Sequence, residues 1–199
     1  MRERKSNRLK GFDYSRSGYY FVTICALNQE KWFGEIEDGQ MIPNTCGKIA
    51  QSLWEKIPVH FGWVGVDEFT VMPNHIHGIV IVERDVGNAY MRSLQDRTKM
   101  TLPKIIQQYK ATVTRDIDWF RKDVCFKWQK SFYDHVIRNE TELFRIRGYI
   151  QNNPLKWGLD RENPSSKTFK LSHDLYWKNI YDPVGTTYEL SRPKKCESQ

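Results

Sequence analysis

Short runs of β-branched and aromatic residues take turns along this chain with stretches in which apolar residues recur every three or four positions. The first pattern suits a strand and the second an amphipathic helix. Tyr19–Leu27 and Lys31–Glu37 predict two strands, and the short link Asn28-Gln-Glu30 predicts a hairpin between them. Asp38-Gly39 marks the next turn. Asn44 caps a helix that runs to about Lys56, with Ile49, Leu53 and Trp54 near one face, and Pro58 stops it. Val66–Val71 and Ile76–Val82 predict two more strands, broken apart by a turn at Pro73-Asn74. Residues 83–100 are polar without periodicity and predict an exposed loop. A second long helix follows Thr101, with Leu102, Ile105, Ile106, Tyr109, Val113, Ile117 and Phe120 at helical spacing. Lys127–Ile137 predicts a fifth strand, and Asn139 or Thr141 opens a third helix with Leu143, Ile146 and Ile150 on one face, ended by Pro154.

Helices that interrupt strand pairs predict an α+β sandwich, with helices packed on an antiparallel sheet of about five strands. Strand order is not legible in the pattern. The 199 residues allow one domain with short extensions: a basic arm over residues 1–18, the domain over 19–159 and a C-terminal extension over 160–199. There is no internal repeat.

Charge narrows the partners. A net charge of +7 and a pI of about 9.2 favour a polyanion, either nucleic acid or an acidic membrane face. The longest apolar run, Ile79–Val82, is too short to span a bilayer, and the charged start Met1–Arg8 does not read as a secretory signal. Cys25, Cys46, Cys125 and Cys196 are scattered and form no Cys-x-x-Cys pair, which argues against a zinc knuckle or a disulfide framework and predicts a cytoplasmic setting.

The sharpest chemical signal is Val71-Met-Pro-Asn-His75-Ile-His77-Gly-Ile-Val-Ile-Val82. With a side-chain period of two, His75 and His77 share one face of a strand and Ile76 points the other way. Such a pair can chelate a divalent metal, or it can be one structural and one exposed histidine; spacing does not choose. A histidine-triad hydrolase would carry a third histidine where this chain has Ile79. The second signal is Arg147-Gly-Tyr149-Ile-Gln-Asn-Asn153-Pro. On a helix, Tyr149 and Asn153 lie about 40° apart in azimuth, at the edge of the apolar stripe.

The histidine pair with its Pro-Asn lead and the later Tyr-Ile-x-x-Asn-Pro resemble the single-tyrosine transposases of the HUH nuclease superfamily, in particular the REP-associated tyrosine transposases. Gly11–Cys25, Phe33-Gly-Glu-Ile and Tyr133–Glu140 fit the same resemblance, which spans residues 7–159. It implies a ferredoxin-like sandwich whose sheet carries the histidines and whose helix carries the nucleophile. By position, His75 and His77 would ligate Mg²⁺ or Mn²⁺, Asn153 would be the third ligand, and Tyr149 would attack the phosphate. The implied substrate is single-stranded or hairpin-forming DNA, cut through a 5′-phosphotyrosine by a monomer or homodimer at the nucleoid. The alternative is a non-catalytic DNA-binding protein on the same fold. Two imidazoles and a neutral amide hold hard Mg²⁺ only moderately, so DNA is expected to complete the site.

Candidate phosphate contacts are Arg8 and Lys10 in the arm, Lys104, Lys110 and Arg115 on the second long helix, and Arg138, Arg145 and Arg147 around the third. Trp32, Trp63, Trp128 and Trp157 are available for base stacking or for the core, and His135 for assisting the site or for a structural hydrogen bond. Gly148, just before Tyr149, departs from the family's pattern; glycine weakens a helix interior by roughly 1 kcal/mol relative to alanine, and it could let DNA approach or let the helix shift.

Overall fold

A computed structural model describes residues 12–83 and 102–166 of the protein. Arg8 and Lys10 of the arm, Thr101, the predicted loop over 84–100 and the extension beyond residue 166 lie outside the described residues. In chain order the elements are β1 (Gly18–Cys25), β2 (Gly34–Glu37), β3 (Gln40–Pro43), α1 (Thr45–Glu55), the single helical turn α2 (Ile57–His60), β4 (Val64–Val71), β5 (His75–Val82), α3 (Leu102–Phe120), β6 (Tyr133–Ile137) and α4 (Glu140–Asn152). Among the described residues no helix is long and apolar enough to cross a membrane.

Four strands form one antiparallel sheet in the order β4-β5-β1-β6. A helix follows each of β1 and β5, and this order splits each strand–helix–strand unit, as in a ferredoxin-like sandwich. The two central strands are buried on both faces. Tyr20, Val22 and Ile24 of β1 and Ile76, Val80 and Val82 of β5 pack under α1 and α3, against Ala50, Trp54, Tyr109 and Val113. Phe21 and Ile79 point the opposite way and meet Leu143, Ile146 and Ile150 of α4. The histidine pair lies on this second face, so the layer that carries α4 is the one that carries the candidate chemistry.

The caps agree with the sequence. Asn44 accepts from the Gly47 amide at 3.0 Å and Asn139 from the Glu142 amide at 2.9 Å, each satisfying an otherwise orphaned N–H at a helix start. The predicted first hairpin is corrected. β1 pairs with β5 and β6, whereas β2 pairs only with β3, around the Asp38-Gly39 turn. Both turn residues have positive φ, 47° and 75°, the conformation that a tight two-residue hairpin demands and that Asp-Gly supplies. The fifth strand is also shorter than predicted: residues 127–132 lie outside it, and Trp128 forms an isolated bridge with Ala26. The helix stripe of α3 holds from Leu102 to Ile117, while Phe120 is half exposed.

A one-residue bulge in β4 sets the pose of α4. The pairing steps from Val66↔Val80 to Phe69↔Gly78, so Val66 and Phe69 both face the main core. The two bulge residues are tied to α4: Asp67 accepts from Arg147 Nη2 at 2.6 Å and from its Nε at 3.1 Å, and Glu68 accepts from Gln151 at 2.9 Å. Tyr149 sits between these two anchors on the same helix.

Gly78 separates the histidine pair from the apolar end of β5 because the Trp54 ring fills the space where its Cβ would project. That ring is fixed by Phe69, stacked at 5.9 Å, and by Tyr109, edge-on at 5.2 Å. Gly78→Ala is therefore expected to destabilise the protein by about 1–3 kcal/mol, the usual cost of overpacking; an unchanged urea midpoint would contradict this packing. Gly148 has the opposite environment, with nothing within 4 Å of a Cβ. Gly148→Ala is expected to stabilise by about 0.5–1 kcal/mol, read as a rise in Tm.

Candidate active site

His75 and His77 project side by side from β5 with 0% and 2% of their surface exposed. Their opposite strand neighbours in β1 are Cys25 and Thr23. The Thr23 hydroxyl lies 2.8 Å from His77 Nδ1. His75 Nδ1 is 2.8 Å from Asn74 Oδ1, and the Asn74 amide donates to the carbonyls of Gln29 (3.1 Å) and Glu162 (2.8 Å). With both amide hydrogens spent on carbonyls, Asn74 has only an acceptor left for His75. Nδ1 of His75 therefore donates, and the lone pair sits on Nε2.

The inner nitrogens converge. His75 Nε2 and His77 Nε2 are 2.9 Å apart. The Tyr149 hydroxyl is 3.1 Å from His77 Nε2, and Phe21 supports both rings, stacked on His77 at 5.4 Å and edge-on to Tyr149 at 6.0 Å. Asp160, just past the short 3-10 turn Trp157–Leu159, brings Oδ2 to 3.8 Å from each of the two Nε2 atoms. Its Oδ1 accepts from the Glu162 amide at 2.6 Å. Trp157 lies tilted over His75, with ring centroids 6.0 Å apart.

The electrostatics suit a cation. Burial, helped by neighbouring His77, pushes the His75 imidazole down to about 3, so at neutral pH it is an uncharged lone-pair donor. Burial opposes ionisation of Asp160, but the imidazoles and the Glu162 amide outweigh it and hold the carboxyl at about 2. Asp160 Oδ2 and Asn153 Oδ1 are both buried without a hydrogen-bond partner. A buried carboxylate oxygen beside two imidazole nitrogens is costly unless a positive charge joins them. An ion with ligands at about 2.1 Å in adjacent octahedral positions holds its donors about 3 Å apart, close to the observed histidine spacing. His75, His77 and Asp160 thus form a donor set that fits a divalent metal.

The other residues singled out by sequence are distributed unevenly. Asn153 is buried at the C-terminal cap of α4. Arg147 is committed to Asp67, while Arg138 and Arg145 are exposed on the α4 side. Lys104 and Arg115 are exposed on α3, in the layer across the sheet from the histidines. Lys110, also on α3, donates to the carbonyls of Gln129 and Ser131 at 2.6 and 3.2 Å, and burial lowers its ammonium to about 8. His135 binds Glu142 at 2.8 Å. Sequence reasoning missed Asp160, which follows the helix in an aperiodic stretch. It read Asn74 as a turn residue and as part of the Pro-Asn lead to the histidine pair, but gave its side chain no role.

No family model matches the chain. It is 39% identical over 171 residues to an "Uncharacterized protein" of Haemophilus influenzae, covering 81% of this chain and 93% of that protein. A second Haemophilus influenzae protein, carrying the provisional name REP-associated tyrosine transposase, is 24% identical over 148 residues, covering 73% of this chain and 75% of its own length. Among solved structures, a REP-associated tyrosine transposase bound to a REP hairpin shares the fold, with a TM-score of 0.52 and 17% identity over 77% of this chain and 76% of that one. The paired histidines on a central strand and the phenol that meets them from the opposing helix thus sit in a chain that is similar in sequence to a protein provisionally named as a REP-associated tyrosine transposase and that shares the fold of a solved one.

Proposed function

We propose that this transposase-like DNA-processing protein cuts and rejoins single-stranded DNA, with Tyr149 as nucleophile and a divalent ion, Mg²⁺ or Mn²⁺, at His75 and His77. The observation that carries the reading is the 3.1 Å approach of the Tyr149 hydroxyl to His77 Nε2, inside a buried cluster that fits a cation. A solvated phenol has a pKa near ~10 and attacks a phosphodiester slowly at neutral pH. The bound ion would neutralise charge on the non-bridging oxygens of the phosphate.

The chain's own residues supply position. The Arg147–Asp67 and Gln151–Glu68 contacts fix α4 over the sheet, and Phe21 holds the phenol edge-on above the histidines. Tyr149 forms a bond from its oxygen to phosphorus and loses the phenolic proton, while the bond to the 3′ oxygen breaks and that oxygen is protonated. The products are a 5′-phosphotyrosine and a free 3′-hydroxyl. One phosphodiester replaces another, so the reverse attack reseals DNA without a nucleotide cofactor. Arg138 and Arg145, exposed on the α4 side, and Arg8 and Lys10 of the arm are the proposed phosphate contacts. The substrate proposed is hairpin-forming DNA, because the solved relative is bound to a REP hairpin. Such a substrate puts the protein's work at the nucleoid in the cytoplasm.

Incubation with end-labelled hairpin DNA and Mn²⁺ is expected to give a protein–DNA adduct that survives denaturing electrophoresis. Tyr149→Phe should reduce its formation by at least about a thousandfold, because phenylalanine lacks the oxygen that would form the covalent bond. An adduct of undiminished yield in Tyr149→Phe would overturn the assignment. Chelation of divalent ions is expected to stop adduct formation by the wild type, and added Mg²⁺ or Mn²⁺ to restore it; full activity in chelator would remove the metal from the reaction.

A further inference from the structure

We infer that Asp160 is the third protein ligand of the metal, and that the protein therefore assembles the ion site before any DNA arrives. The inference rests on the metal-dependent reading above and goes past it in naming the ligand and the order of assembly. Asp160 is 3% exposed, and its Oδ2 stands 3.8 Å from both histidine Nε2 atoms with no hydrogen-bond partner. A buried carboxylate oxygen that faces two imidazole nitrogens without a hydrogen bond of its own is costly unless a positive charge joins it.

The segment that delivers Asp160 is built to hold it there. Asp160 Oδ1 accepts the Glu162 amide at 2.6 Å, which closes a tight turn and leaves Oδ2 turned toward the imidazoles. Asn163 folds the same segment on itself by donating its side-chain amide to the Trp157 carbonyl at 2.9 Å. Asn74 then locks the segment to the strand. Its amide donates to the Glu162 carbonyl at 2.8 Å while its oxygen takes the Nδ1 proton of His75. One side chain thus orients a histidine ligand and anchors the loop that carries the carboxylate.

Position and charge distinguish Asp160 from Asn153. Asn153 is a neutral amide at the end of α4, the helix that also carries Tyr149. Asp160 is anchored to β5 through Asn74 and Glu162, so its place depends less on α4. Two imidazoles and one carboxylate bind a divalent ion more tightly than two imidazoles and an amide. Three protein donors on one side leave the remaining positions for phosphate oxygens and water. This replaces the sequence-based expectation that DNA must complete the site.

The test is calorimetric titration of the full chain with Mn²⁺ in the absence of DNA. The wild type is expected to bind one ion, Tyr149→Phe to bind it equally, and Asn153→Ala to stay within about twofold. Asp160→Asn is expected to weaken binding at least tenfold. Asp160→Ser is the second variant: its hydroxyl can keep the turn contact to the Glu162 amide while removing Oδ2, which guards against a simple folding defect. The rise in Tm that Mn²⁺ gives the wild type should be lost in both variants. Wild-type affinity in folded Asp160→Asn or Asp160→Ser would overturn the inference. So would loss of binding in Asn153→Ala with binding intact in the Asp160 variants, or wild type that binds Mn²⁺ only with DNA present. The two readings fail separately. Adduct formation by a wild type that binds no Mn²⁺ without DNA would sink only the ligand assignment, and Asp160-dependent Mn²⁺ binding without any adduct would sink only the strand transfer.

Discussion

Two imidazole nitrogens 2.9 Å apart in a dry interior are the constraint around which this structure is arranged. At that distance the two nitrogens share a hydrogen bond or a cation, and neither can turn to water. The arrangement persists because each ring is held from behind, His75 by Asn74 and His77 by Thr23. A buried carboxylate faces both inner nitrogens. A cation would join the imidazole nitrogens and the carboxylate oxygen, which are otherwise buried away from water.

The sandwich supplies the rigidity for that arrangement. β5 is central, hydrogen-bonded on both sides by β4 and β1, so its side chains have little freedom to relax apart. Its two faces divide the labour: Ile76, Val80 and Val82 anchor it in the core under α1 and α3, and the histidines face α4. Gly78 lets Trp54 press close behind the pair. The β4 bulge keeps that strand's apolar residues in phase with the main core and ties Asp67 and Glu68 to α4. Tyr149 therefore inherits its position from packing on one face and from polar anchors at two points of its own helix.

Much of this was legible in the chain. Periodicity placed α1, α3, α4 and three strands of the main sheet, because those elements each bury a regular face. Asn44 and Asn139 were readable as caps because a side-chain acceptor before a helix has a local purpose. The β1–β2 hairpin was misread because closeness in sequence was taken for pairing, whereas β1 is claimed by two strands distant in sequence. The histidine pair and Tyr149 were visible as residue types at telling spacings. Asp160 was not: an aspartate in an irregular segment carries no period, and its significance arises only when the chain folds back onto β5. Lys110 was legible as a charge off the apolar helix stripe, but not its two hydrogen bonds to backbone carbonyls, which depend on how residues 129–131 fold back onto the helix.

The central claim concerns where a single ion sits, and X-ray data collected at the manganese absorption edge from crystals soaked in Mn²⁺ address it directly. The account predicts one strong anomalous peak within bonding distance of His75 Nε2, His77 Nε2 and Asp160 Oδ2, with the Tyr149 oxygen beside it. An absent peak, or one seated on other side chains while the histidine pair keeps its present hydrogen bonds, would contradict the account.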